Sequence, residues 1–127
     1  MARTVQELQV FQKACVAADA LFALVRQTAL RRDFDLVRQM DRAAVRIISD
    51  VAEGFEQKTD RHFARFLYDA KGGAAEVRAQ LAIAKARGYI SNDEAADVHA
   101  RYEEIGRMLN GLIGHLERDN WPHRRRT

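Results

Sequence analysis

Residues 67–84 read LYDAKGGAAEVRAQLAIA, and the spacing within them decides the fold. Leu67, Ala70, Ala74, Val77, Leu81 and Ala84 fall alternately three and four apart. That spacing lines the apolar side chains along one face of an α-helix, and no run alternates with period two. Charged and small residues fill the positions between. The predicted helix is therefore amphipathic and needs partners for its apolar face.

The pattern recurs on both sides. Downstream, Ala95, Val98, Tyr102, Ile105, Leu109, Leu112 and Leu116 repeat it. Upstream, Leu8, Phe11, Cys15, Ala18, Phe22, Val25 and Ala29 do the same. A looser version runs through Val37, Met40, Ala44, Ile48, Val51 and Phe55. The only proline is Pro122, so nothing before it interrupts a helix from within.

End signals bound the segments. Thr4 with Glu7 and Ser91 with Glu94 form capping boxes. Asp33 or Asp35 is placed to cap the second helix, and Thr59 or Asp60 the third. Gly88 stands where a left-handed residue ends the third helix, with Tyr89 and Ile90 folding back, and Gly54 offers the second helix the same exit. Helices are expected at about 5–29, 35–55, 60–87 and 92–119. Short connections make neighbours antiparallel. The predicted fold is all-α, an antiparallel up-down-up-down four-helix bundle without a sheet. Residues 1–121 are expected to form one domain, and 122–127 a short, disordered basic tail.

Composition agrees with a soluble globular chain. Of 127 residues, 47% are hydrophobic and 31% charged, enough for one core. No apolar run approaches the roughly 18 residues of a membrane span, and the N-terminus lacks the pattern of a signal peptide. A single cysteine excludes an internal disulfide and fits a reducing compartment, so a cytoplasmic location is expected. Three of the 21 basic side chains are Arg124, Arg125 and Arg126, and the remaining 18 balance the 18 acidic ones. The net charge of +3 thus belongs to the tail, and the neutral body does not by itself suggest nucleic acid.

Residues 49–55, SDVAEGF, place two carboxylates, a glycine and an aromatic together. They read as a helix end. Ile48, Val51 and Phe55 face inward, Asp50 pairs back to Arg46 one turn earlier, and Glu53 lies on the polar side. Gly72, Gly73, Gly106, Gly111 and Gly114 fall inside predicted helices, where glycine costs about 1 kcal/mol relative to alanine. Close helix–helix approach is the expected compensation.

RAAVRIISDVAEGF, followed by FARFLYDAKGGAAEVRAQLAIAKARGYIS and MLNGLI, resembles the four-helix-bundle family of 23S rRNA-intervening-sequence proteins. ELQVFQKA is similar to that family's first helix, so the resemblance covers about residues 7–116. It departs at 46–50, where RIISD replaces a run that often carries proline and asparagine, and at Gly73, commonly serine. The missing proline predicts a straighter second helix. The resemblance implies a homo-oligomer, a pentamer, with no catalytic residues. Related bundle proteins that accompany reverse transcriptases imply, in addition, binding to RNA or DNA.

Several chemistries are not supported. No glutamate has a histidine three residues later, as a di-iron bundle requires, and no zinc pattern appears. Gly72-Gly73 lacks the Gly-Lys-Ser/Thr of a phosphate loop. Neither a metal nor a cofactor is expected, and Cys15 reads as a small core residue.

Two features suggest nucleic acid. Arg38, Arg42 and Arg46 are spaced four apart and form a ladder able to follow a phosphate backbone. Asp35, Asp41 and Asp50 are the surface partners that would neutralise it. Arg118 to His123 matches the Arg-polar-x-x-x-His pattern of HEPN ribonucleases, whose histidine and arginine would serve proton transfer and phosphate stabilisation. Pro122 within the match argues for simple helix termination.

The first helix carries a second seam: Val10, Ala14, Ala17, Leu21 and Leu24. The two seams together exceed the roughly 100° that one core requires. This second seam is the expected subunit contact. The sequence therefore points to a non-enzymatic oligomeric bundle acting as a scaffold. The alternatives are a nucleic-acid-binding accessory protein and a ribonuclease.

Overall fold

The computed structural model describes residues 2–5 and 8–118. These contain α1 (Gln9–Gln27), a 3-10 turn (Ala29–Arg32), α2 (Phe34–Phe55), α3 (Asp60–Ala86) and α4 (Asn92–Arg118), with no strand element among the described residues. The all-α four-helix bundle expected from the stripes is the observed architecture. Glu7 of the first capping box, Asp119–His123 of the ribonuclease-like pattern and the basic tail lie outside the described residues.

Most ends follow local chemistry. Asp33 caps α2, its Oδ1 accepting from Leu36 N–H at 3.2 Å, and Thr59 Oγ1 caps α3 by accepting from His62 N–H at 3.2 Å. The Ser91–Glu94 box is reciprocal: Glu94 N–H donates to Ser91 Oγ at 3.0 Å, and Ser91 N–H to Glu94 Oε1 at 2.8 Å. Gly88, at φ +77°, closes α3 while Tyr89 N–H reaches back to Ala84 O at 3.0 Å and Ile90 buries itself.

α1 is shorter than expected at both ends. It begins at Gln9, with Leu8 at the cap position and no side-chain cap, so the Thr4–Glu7 pair does not start it. It stops at Gln27 because buried Thr28 turns the chain. Thr28 Oγ1 donates to Leu24 O at 2.8 Å and accepts from Leu30 N–H at 3.3 Å.

α2 packs closely along α3, and α3 along α4, while α1 closes the bundle more sparsely against α2 and α4. One contiguous core runs through all four helices. The stripes read on α3 and α4 are its backbone, with Ile113 buried and Leu112 only half-buried. On α2 the buried face is turned by about one residue from the expected one: Leu36, Ala43 and Ile47 are inside, and Val37, Ile48 and Phe55 are half-buried.

Gly54 is not a helix exit. It lies within α2, is buried, and has no positive φ. A Cβ there would stand 2.8 Å from Phe66 Cβ and 2.9 Å from Phe63 Cδ1, so the missing side chain is what lets α3 come close. Gly73 acts likewise one level up, where a Cβ would meet Ile47 Cγ1 at 2.8 Å. Gly111 and Gly114 have nothing within 4 Å and take no part in helix approach.

Candidate functional site

The second α1 seam is not a surface. Val10, Ala14, Ala17, Leu21 and Leu24 are all buried inside the bundle, Ala17 and Leu21 completely. The small alanines let α1 sit against the other helices, so the core takes these residues and they cannot meet another chain. What remains on the flank is part of the other seam: Phe11, Cys15 and Phe22 are half-buried, and Cys15 is a free thiol whose pKa is raised, first by burial and then by Asp19. Lys13 reaches Glu104 of α4 at 3.5 Å, which fixes the α4 side of α1. By helical geometry Phe11, Cys15 and Phe22 lie along the opposite edge, toward α2. Val37, Ile48 and Phe55 line the matching edge of α2, and Val45 beside them is 48% exposed.

The arginine ladder is exposed but largely engaged. Arg38 Nη2 meets Asp35 Oδ1 at 2.7 Å. Arg46 lies 3.6 Å from Asp50 Oδ2 and 3.4 Å from Glu76 Oε1, and its Nη2 donates to Asp69 O at 2.9 Å. Only Arg42 of the three makes no ion pair among the described residues, and neither does Asp41. The ion pair read from the Arg46–Asp50 spacing is present, but 3.6 Å is too long for a hydrogen bond. Asp50 Oδ2 is buried without one among the described residues. Burial foremost, and the neighbouring Asp69 carboxylate, push the Asp50 pKa up against the opposing pull of Arg46.

A feature that sequence reading missed lies between α3 and α4. An open groove of about 540 Å³ is floored by Gly72, Ala75 and Gly106. Lys71 and Arg78 from α3 and Arg107 from α4 line it, with Glu103 as the one acid. The α3 residues among these lie 25 or more positions from the α4 ones, so no local motif could announce them. Arg118, from the ribonuclease-like pattern, has Nη2 3.0 Å from His115 Nδ1. Among the described residues no group of three or more His, Cys, Asp or Glu side chains is placed to hold a metal. No helix among them is long and apolar enough to cross a membrane.

A family model described as 23S rRNA-intervening sequence protein matches residues 6–111. The chain belongs to that family. Among curated proteins, none matches it. The 23S rRNA-intervening sequence protein match spans α1, α2, α3 and most of α4. It therefore includes the Gly54 and Gly73 contacts, the arginine ladder and the whole lining of the α3–α4 groove.

Proposed function

We propose that the chain works as a homo-oligomer, a pentamer, and serves as a non-enzymatic cytoplasmic scaffold. One observation carries this reading. An apolar strip along the outer α1–α2 seam, Phe11, Phe22, Val37 and Ile48, is only half covered, and exposed Val45 borders it. A second copy would remove that strip from water. Family membership supports the count of five, and a ring closes a head-to-tail contact without leaving open ends. The geometry does not favour the ladder as a nucleic-acid track, because two of its three rungs already hold carboxylates.

Light scattering at micromolar concentration tests the assembly. The expected mass is a multiple of 14.5 kDa, five-fold for a pentamer. A monomer mass sinks the reading. Val45→Glu is expected to dissociate the oligomer while circular dichroism stays unchanged, since Val45 is not part of the core. Leu21→Glu, by contrast, is expected to unfold the chain, because it places a charge in the bundle interior. Purified chain that cleaves RNA would overturn the non-enzymatic part.

A further inference from the structure

The α3–α4 groove combines cations, an oriented aromatic ring and a floor of two glycines and an alanine. Lys71, Arg78 and Arg107 face a single acid there, Glu103, leaving a surplus of two positive charges. Lys71 and Arg107 make no ion pair among the described residues. Arg78 is half-buried and held in place, its Nη1 donating to Tyr102 O at 3.3 Å. Gly106 lies beside that seat, where a Cβ would come into ordinary contact with the same Nη1 at 3.4 Å. The remaining guanidinium nitrogens of Arg78 make no hydrogen bond among the described residues, and like charges held near one another favour an anion between them.

At the other end stands Tyr68, 48% exposed. Its hydroxyl donates to Glu117, 3.1 Å from both carboxylate oxygens, so the ring is oriented rather than free to swing. Asn110, also in the lining, offers both an amide donor and a carbonyl acceptor. Tyr68 to Arg78 is ten residues of helix, about 15 Å, a span that an extended nucleoside diphosphate covers. The volume falls within the ~300–1,000 Å³ range of small-molecule sites.

We infer that this groove binds a nucleoside diphosphate, its phosphates on Lys71, Arg78 and Arg107 and its base on the Tyr68 ring beside Asn110. The α1 face of a second copy complements the groove poorly. The outward face of α1 carries Lys13, Asp19 and Arg26, a net positive charge. The site lies across the bundle from the α1–α2 seam and does not depend on the assembly proposed above.

Calorimetric titration of the full chain at low salt with ADP, adenosine, inorganic phosphate and a ten-residue oligoribonucleotide tests it. ADP is expected to bind at least about ten-fold more tightly than adenosine or phosphate. Arg107→Gln and Lys71→Gln are each expected to weaken ADP about ten-fold or more, the effect of one charged hydrogen bond. Gly106→Leu is expected to block ADP by filling the floor, with thermal melting confirming that the bundle remains folded. Tyr68→Ala is expected to weaken ADP while leaving inorganic phosphate unchanged, and Arg42→Gln, outside the groove, to change neither. The inference fails if ADP does not bind, if phosphate binds as tightly as ADP, or if the groove variants leave ADP affinity intact. It fails equally if only the oligoribonucleotide binds, or if the groove variants change the scattering mass and nothing else, which would make the groove a subunit contact.

Discussion

Gly54 of α2 lies directly against Phe66 of α3: a Cβ on the glycine would stand 2.8 Å from the phenylalanine's own Cβ. A Cβ cannot swing away without its backbone. Gly54→Ala is therefore expected to destabilise the chain by about 1–3 kcal/mol through overpacking, despite alanine's better helix propensity. Gly111→Ala has nothing within 4 Å to strike and is expected to stabilise by about 0.5–1 kcal/mol. Urea denaturation of the two variants checks the opposite signs.

Asp50→Asn is expected to stabilise the bundle at neutral pH. The wild-type carboxylate is half-buried beside Asp69, and its folded pKa is raised. A raised folded pKa means that the group's contribution is most favourable when protonated, below the unfolded value of about 3.9, and is lost as pH rises through the folded pKa. The advantage of the variant should accordingly shrink as pH falls. Thermal melts in a pH series measure it, and an advantage that grows toward acid would contradict the burial argument.

Tyr89→Phe addresses the opposite shift. Asp33 Oδ2 accepts from Tyr89 Oη and from Arg87 Nη1, each at 2.8 Å, joining the start of α2 to the turn after α3. The Tyr89 hydroxyl foremost, then the Leu36 N–H, with Arg87 adding to both, lower the Asp33 pKa. This stability is present above the unfolded carboxylate pKa and is lost as pH falls through the folded one. Tyr89→Phe is expected to lower the melting temperature at pH 7, and the gap to wild type should close in acid.

Tyr102→Phe is expected to be neutral or to stabilise by about 1 kcal/mol. The Tyr102 hydroxyl is buried and has no hydrogen-bond partner among the described residues, so its removal relieves a desolvated polar group. Burial also raises its pKa. A clear loss of stability in urea would contradict an unpaired buried hydroxyl.

The parts legible in the sequence were those with a single solution. α3 and α4 each carry one unbroken stripe, and the Ser91, Thr59 and Gly88 end signals sit beside them, so pattern and structure coincide. α1 carries two apolar seams, and periodicity cannot tell which one faces inward. The alanine-bearing seam won because Ala14 and Ala17 let the helix settle against the core, leaving the bulkier Phe11 and Phe22 on its flank. Gly54 misled for a related reason. A glycine near a helix end serves equally as an exit or as a notch, and only the position of Phe66 decides. The groove was invisible because Lys71, Arg78 and Arg107 acquire a common purpose only when α3 and α4 are laid side by side.

The sparse packing of α1 has a kinetic consequence. α2, α3 and α4 each pack on a neighbour adjacent in the chain, a low-contact-order arrangement that forms quickly. Only the pairing of α1 with α4 must close nearly the full length of the chain. The first helix is thus the least firmly held, and its amides should exchange hydrogen ahead of those in the other three. Whenever it lifts off, Val10, Ala14, Ala17, Leu21 and Leu24 meet water, so this edge is where the bundle begins to come apart.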